Sequence, residues 1–278
     1  MKKISRRSFM AAAAVSVAAL AMTACGGSAS SAASSVASSA ASSEAVSSAA
    51  AADLTTVEAG KLTMATNAAF PPYEMTTDAG EFEGIDVDTA KAIAEKLGLE
   101  LQIDDMDFDA ALLSVQQGKA DIVMAGVTVT DERKAVTDFS DSYATGIQSI
   151  IVPNDSDIAS PDDLAGKKIG TQRGTTGYIY CSDDFGDENV VAYDDGLTAV
   201  QALNNGQVDA VVIDNAPAQE FVAANPGLKV LDTSYTEEDY AIGMAKGSAL
   251  EDAVNKALEE LKADGTLQAI VDKYINAN

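Results

Sequence analysis

A single arginine stands out in the stretch GVTVTDERK, residues 126–134. Small and polar residues alternate there with two valines, a pattern typical of a strand with one apolar face. Arg133 follows the acidic turn at its end, in a chain of 43 acidic and 18 basic residues. A guanidinium matches a carboxylate with two parallel hydrogen bonds better than an ammonium does. Arg133 is therefore a candidate carboxylate-binding residue; the alternative is surface pairing with Asp131 or Asp138.

Two further strand ends carry complementary groups. In RGTTG, a helix is predicted to begin near Thr176 and Gly177, whose backbone N–H groups could donate to the same anion. In VVIDN, Asp214 could accept from an ammonium group. The alternatives are an ordinary loop and a solvent-exposed acid.

Aromatic residues occupy two other strand ends. Phe70 lies in NAAFPPYE and Phe108 in DMDFDA. They could enclose an apolar stem, although phenylalanines are more often core residues. A carboxylate, an ammonium and a short stem on one small molecule describe an amino acid.

The composition excludes several classes of function. The chain of 278 residues contains no histidine, which rules out Ser-His-Asp and Cys-His nucleophiles and imidazole zinc sites. An isoelectric point near 4.1 does not suit nucleic acid, whose phosphates need a basic surface. We therefore predict no metal, no cofactor and no nucleic-acid partner.

The N-terminus predicts export. Basic residues precede an apolar run that is too short and alanine-rich for a membrane span, so residues 1–24 are predicted to be a signal peptide. MTAC, ending at Cys25, resembles a lipobox, in which the cysteine is lipidated; an ordinary signal peptide is the alternative. SRRSFM also resembles a twin-arginine signal, with a plain basic region as the alternative.

A serine- and alanine-rich tract follows Cys25. It lacks apolar residues to bury, so residues 25–59 are predicted to be a flexible tether holding the body at a membrane. With Cys25 lipidated, Cys181 has no partner for a disulfide and is expected to be a small buried apolar residue.

From residue 60 onward the sequence alternates between strand and helix patterns. KLTMATN, LELQI and ADIVMAGVTVT are predicted strands, and residues 86–98 and FDAALLSVQQG are predicted helices. A second series of the same kind begins after residue 153, with Ser160 as a helix N-cap, and helices at 249–263 and 267–275 end the chain.

The repeated series predicts two α/β lobes, each a mainly parallel sheet flanked by helices. Residues 60–150, with 240–278 returning, form lobe 1, and residues 151–239 form lobe 2. Strands at 146–152 and 240–245 are the predicted crossings. Ligands of open α/β sheets bind beyond the carboxyl ends of strands, which predicts a binding cleft between the lobes.

These motifs resemble a known family. FPPYE…GEFEGIDVDTAKAIAEKLG, FDAALLSVQQGKADIVMAGVTVTDERKAVTDFSDSY and GTTG…VDAVVIDN are similar to segments of the extracytoplasmic solute-binding proteins of ABC importers, in the polar amino-acid class. The resemblance implies a type II two-lobe fold that closes on its ligand and docks on a membrane permease.

The resemblance also implies roles for individual residues. Arg133 would bind the α-carboxylate with the Thr128 hydroxyl and the Thr176 N–H, next to Gly177. Gly126 and Asp214 would bind the α-ammonium, and Phe70 and Phe108 would flank the side chain.

Two positions bear on the ligand side chain. Relatives that bind cationic amino acids tend to carry Asp where this chain has Asn67, which favours a neutral polar ligand such as glutamine. Arg173, beside the GTTG turn, could favour an acidic ligand. Basic or acidic amino acids and cystine stay open as alternatives.

Two rival functions share the fold. An enzyme related to prephenate or arogenate dehydratases would need a cleft acid with a raised pKa, and a ligand-sensing module would present its closed form to a receptor. We predict instead a monomeric, non-enzymatic lipoprotein at the outer face of the cytoplasmic membrane that serves an ABC permease.

Overall fold

The computed structural model describes residues 54–275. The predicted signal peptide, Cys25 and most of the predicted tether lie outside the described residues. The strands are β1 Lys61–Thr66, β2 Ala69–Phe70, β3 Glu74–Thr76, β4 Phe82–Glu83, β5 Glu100–Asp105, β6 Ile122–Val123, β7 Thr137–Phe139, β8 Ala144–Pro153, β9 Ile169–Gln172, β10 Val190–Tyr193, β11 Ala210–Asp214, β12 Leu228–Val230, β13 Thr236–Tyr240 and β14 Gly243–Ala245. The helices are α1 Ile85–Leu97, α2 Phe108–Gln116, α3 Asp131–Lys134, α4 Thr176–Phe185, α5 Gly196–Asn204, α6 Asn215–Ala224, α7 Glu251–Ala263 and α8 Thr266–Tyr274.

Two sheets organise the chain, and we name the lobes after them. Lobe 1 contains the sheet with strand order β5-β1-β6-β14-β7. The strands that follow β1 in the sequence form a separate small sheet with order β2-β3-β4. Lobe 2 contains the sheet with order β10-β9-β11-β8-β12, in which β13 also pairs with β8. The predicted two-lobe α/β fold is confirmed by the solved structures compared below.

Both sheets are mixed rather than mainly parallel. β5, β1 and β6 are parallel, but β14 pairs antiparallel with β6 and β7. In lobe 2, β10, β9 and β11 are parallel, whereas β8 pairs antiparallel with β11, β12 and β13. The antiparallel strands adjoin the two places where the chain passes between lobes, after Phe139 and after Tyr240.

Local sequence explains where elements begin and end. Helix α1 ends at Gly98, which adopts the left-handed conformation (φ 70°) suited to a C-cap. Ser160 and Asp163 form the predicted capping box, although the turn it starts is a short 3₁₀ helix, Pro161–Leu164.

The predicted strand ADIVMAGVTVT is much shorter in the structure than the sequence pattern indicates. Only Ile122–Val123 pairs in the sheet, because Gly126 turns the chain with φ 53°. Beyond it, Thr128 makes an isolated antiparallel bridge to Tyr240. The segment thereby reaches the cleft instead of extending the sheet.

Each lobe has its own apolar core. One cluster in lobe 1 includes Leu62, Ile93, Ile122 and Leu258, and one cluster in lobe 2 includes Val200, Val211 and Phe221. Cys181 is fully buried in a second lobe 2 cluster, where burial raises the pKa of its thiol to about 12. Its predicted structural role fits this position.

None of the helices within residues 54–275 has the length and apolar composition required to cross a membrane. The same residues contain no cluster of three or more acidic or cysteine side chains arranged to hold a metal ion.

Candidate functional site

A cavity between strand ends is lined by residues of both lobes. The lining residues are Asn67, Phe70, Glu74, Phe108, Ala125, Gly126, Thr128, Arg133, Gln148, Gln172, Thr175, Thr176, Val212, Ile213, Asp214 and Tyr240. The structure therefore brings eight of the predicted ligand-binding residues to one cavity: Asn67, Phe70, Phe108, Gly126, Thr128, Arg133, Thr176 and Asp214.

Arg133 crosses from lobe 1 to lobe 2. Thr130 caps α3 by accepting from the Arg133 N–H at 3.2 Å, which orients the side chain. Nη1 donates to the Thr128 carbonyl at 2.8 Å, Nη2 donates to the Gly174 carbonyl at 3.1 Å, and the guanidinium lies 5.4 Å from the Phe108 ring centre. These bonds use two of five N–H donors, so donors remain for a carboxylate.

The structure does not show the alternative in which Arg133 forms a surface ion pair with Asp138. Asp138 pairs with Lys246 instead, at 2.6 Å. Burial lowers the pKa of Arg133, and the nearby Glu238 carboxylate counteracts part of that effect. A buried guanidinium of this kind favours an anionic partner.

Glu238 on β13 joins three donors from both lobes. Its Oε2 accepts from the hydroxyls of Thr128 at 3.1 Å and Thr176 at 3.0 Å, and from Gln148 Nε2 at 2.9 Å. A threonine hydroxyl has one proton to donate. Thr128 could therefore donate to a ligand carboxylate, as predicted, only after leaving Glu238.

Asp214 ends β11 and caps α6. Its Oδ1 accepts from the Ala216 N–H at 3.0 Å and its Oδ2 from the Ile147 N–H at 2.7 Å. Burial raises the pKa of Asp214 to about 6. Each carboxylate oxygen has a second lone pair, so the group can still accept from a ligand.

Gly126 lies where only glycine fits. Its φ of 53° is left-handed, and a Cβ atom there would lie 2.8 Å from Phe70 Cε1. Its N–H donates to Asp86 Oδ2 at 3.0 Å. This buried carboxylate, whose pKa burial raises to about 6, holds the segment in place.

Aromatic rings line one side of the cavity. The Phe70 ring stacks on Tyr73 at 5.7 Å, and Tyr73 meets Tyr240 edge-on at 5.5 Å. Phe108 belongs to an apolar core cluster and also lines the cavity, so a core role and a ligand-contact role are compatible for this side chain.

Two amides meet across the lobes. Gln172 Nε2 donates to Asn67 Oδ1 at 2.8 Å and to the Asp194 carbonyl at 3.2 Å. Asn67 Nδ2 donates to the Met106 carbonyl at 3.0 Å. This part of the lining presents neutral hydrogen-bonding groups.

Two predicted site residues do not line the cavity. Arg173 is exposed and pairs with Asp194 at 3.2 Å. Gly177 is buried in the first turn of α4, where a Cβ would lie 2.9 Å from Gln148 Oε1. Cys25, the predicted lipidation site, is outside the described residues.

The sequence prediction missed several lining or adjoining polar residues: Glu74, Gln148, Gln172 and Glu238. Gln172 ends β9, so the rule about strand ends could have found it. Gln148 and Glu238 lie within antiparallel strands, whose pairing no local motif indicates.

The fold and the cavity define a two-lobe ligand-binding protein. Residues 62–277 match the bacterial extracellular solute-binding proteins, family 3, and the chain belongs to this family. The predicted relationship is thereby confirmed.

Individual relatives share most of their length with this chain. It is 33% identical over 225 residues to the L-cystine-binding protein TcyJ of Escherichia coli (strain K12), covering 80% of this chain and 85% of that protein. It is 34% identical over 224 residues to the arginine-binding extracellular protein ArtP of Bacillus subtilis (strain 168), covering 77% and 86%. A solved ancestral arginine-binding protein bound to glutamine is 42% identical, with a TM-score of 0.74, covering 78% of this chain and 98% of that one. These relatives are binding proteins, not enzymes.

Proposed function

We propose that this protein binds a free amino acid in the cavity and delivers it to the permease of an ABC transporter. The observation that supports this most directly is that Arg133 of lobe 1 and Asp214 of lobe 2 line the same cavity. A guanidinium and a carboxylate are the partners that the carboxylate and ammonium of a zwitterion need. The relatives named for arginine and cystine support the same ligand class.

The side chain of the ligand is neutral and polar in our proposal, with glutamine as the best candidate. The charged residues among the described cavity lining are Arg133, Glu74 and Asp214. Asn67 and Gln172 are amides, which can both donate to and accept from the amide of glutamine. The ancestral protein solved with glutamine supports a scaffold of this kind holding that ligand.

A thermal-shift series tests this proposal on protein refolded to remove carried-over ligand. L-glutamine should raise the melting temperature more than L-arginine, L-histidine, L-cystine or L-glutamate at equal concentration, since a ligand of the folded state stabilises it by mass action. A flat response to all five would contradict amino-acid binding. A larger shift with arginine would contradict the assignment of the side chain alone.

A charge substitution sharpens the test. Asn67→Asp should strengthen arginine binding relative to glutamine, because a carboxylate attracts a guanidinium. Asn205→Asp adds the same charge at an exposed position outside the cavity and should leave the preference unchanged.

We also propose that the protein is exported and held by a lipid on Cys25 at the outer face of the cytoplasmic membrane, with residues 25–59 as the tether. The MTAC motif and the serine- and alanine-rich tract support this. Cys25→Ser should move the protein from the membrane fraction to the soluble fraction, and an unchanged distribution would contradict the anchor.

A further inference from the structure

Glu74 is a buried carboxyl group that pairs with a second acid, and the sequence prediction assigned it no role. It begins β3, its side chain is 1% exposed, and it lines the cavity. Neither of its carboxyl oxygens accepts from an N–H or hydroxyl donor, and its hydrogen-bonding neighbour is another carboxyl group, Asp86. Burying an acid costs free energy, so a carboxyl at a ligand cavity that has only another acid beside it requires an explanation.

That second acid is Asp86, which is fully buried. Its Oδ2 accepts from the Gly126 N–H at 3.0 Å, and its carboxyl group also hydrogen-bonds with Tyr143 and Glu74. The acidic groups that act on Glu74 are Asp86 and Asp105, and the Tyr143 hydroxyl faces the pair from the chain crossing. No basic side chain of the described residues is among these neighbours.

Two neighbouring buried carboxyls without a cation cannot both ionise readily. Burial, reinforced by the charge of Asp86, raises the pKa of Glu74 well above its ordinary range. Burial raises the pKa of Asp86 only to about 6. At neutral pH the pair therefore holds one proton, mainly on Glu74.

Glu74 and Asp214 line the same cavity. The Tyr73 ring is the common neighbour: its pKa is raised by burial and by the charges of Asp214, Asp86 and Glu74. Both oxygens of Asp214 already accept backbone N–H groups, whereas those of Glu74 accept none. Glu74 is thus a second acidic group of the cavity lining, and no backbone N–H stabilises its charged form.

We propose that Glu74, with Asp86 behind it, is a second residue that receives the ligand's ammonium group, and that binding expels the proton of the pair to solvent. The proposal rests on the amino-acid function proposed above. The step is balanced: protonated protein and a zwitterion give the complex and one free proton. An ammonium group beside Glu74 supplies the positive charge that the pair lacks, and this favours its ionised form.

Release of this proton makes ligand binding depend on pH. Because the free protein holds a proton that the complex lacks, the association constant rises with pH, by up to about tenfold per pH unit. The rise occurs between the pKa values of Glu74 in the complex and in the free protein. Acidification therefore favours release of the ligand.

Calorimetry in two buffers of different ionisation enthalpy, at pH 7.5, measures the proton directly. L-glutamine and L-arginine are the probes. Wild-type protein should release close to one proton per bound ligand, and Glu74→Gln should release almost none. Asp214 and Asp86, with pKa values of about 6, are already ionised at this pH and contribute little. Glu83→Gln, on the neighbouring strand and outside the cavity lining, should behave as wild type.

The experiment distinguishes failure of the proposed amino-acid function from failure of the Glu74 inference. Binding of neither probe would count against the proposed function itself. Binding without proton release, or release that persists in Glu74→Gln, would overturn this inference alone. Should Glu74→Gln not fold, infrared difference spectra of the wild type at pH 7.5 decide. A buried protonated carboxyl band should disappear when ligand saturates the protein, and its persistence would overturn the inference.

Discussion

At the scale of the residue, Arg133 is the most constrained group in the cavity. Two backbone carbonyls, one on each lobe, accept from its guanidinium, and the Phe108 ring lies beneath it. Few free rotamers remain to be lost on binding a carboxylate, which favours affinity. The same contacts connect the lobes, so Arg133 contributes both to the ligand site and to the contact between lobes.

Arg133→Ala should weaken binding of L-glutamine by about 2–5 kcal/mol, which is roughly a 30-fold or larger increase in Kd. The ligand carboxylate would be left desolvated without its charged partner. Arg173→Ala is the matched control, because Arg173 is exposed and pairs with Asp194 outside the cavity. Equal losses in the two variants, measured by calorimetry, would show that general charge rather than this site binds the ligand.

The rule that ligands bind at strand ends selected residues that the structure brings to one cavity. Arg133, Asp214, Phe70 and Phe108 were identified that way, and all four line the cavity. Glu74 and Glu238 were not identified, because each is one of 43 acids and nothing local marks an acid as buried. Their burial depends on which strands become neighbours.

At the scale of the element, the paired strands β8 and β13 contribute Gln148 and Tyr240 to the cavity lining. Gly146 pairs with Glu238, and the Tyr240 ring packs directly over Gly146. Tyr240 is 1% exposed and lines the cavity, so the close approach of β8 to this ring shapes the site. Sequence alone predicted a strand at 146–152 and could not predict this contact, because it joins segments about ninety residues apart.

Gly146→Ala should lower the free energy of unfolding by about 1–3 kcal/mol and also weaken ligand binding. A Cβ atom at Gly146 would overlap the Tyr240 ring, and the buried ring has little room to move. Gly227→Ala is the control, because a Cβ there meets no atom within 4 Å. Urea unfolding gives the stability, and a Gly146→Ala protein as stable as Gly227→Ala would contradict the packing argument.

At the scale of the whole molecule, buried acids lie in and around the cavity of a chain with a formal charge of −25. Glu74, Asp86, Asp214 and Glu238 are all buried, and Arg133 is the basic residue among the described cavity lining. Burying carboxylates disfavours their charged form. Burial raises the pKa of Glu74, Asp86 and Asp214, so the ligand-free protein should become less stable as these three acids ionise, which couples its fold to pH.

Asp214 allows this coupling to be measured. Its pKa of about 6 in the folded protein lies above the ordinary value of 3.8. Between pH 3.8 and pH 6, therefore, the folded state holds a proton on Asp214 that the unfolded state has lost. Stability from this group is complete below pH 3.8 and disappears as the pH rises through 6. Relative to Asp214→Asn, ligand-free wild-type protein should lose roughly 2 kcal/mol of unfolding free energy between pH 4.5 and 7.5.

Asp138 is the control. Its pKa is lowered by its hydrogen bond to Lys246, so it titrates below this range, and the difference in stability between wild type and Asp138→Asn should stay nearly constant. Urea unfolding at the two pH values measures both, and a wild-type stability that rises relative to Asp214→Asn would show that the Asp214 carboxylate is stabilised rather than strained by its surroundings.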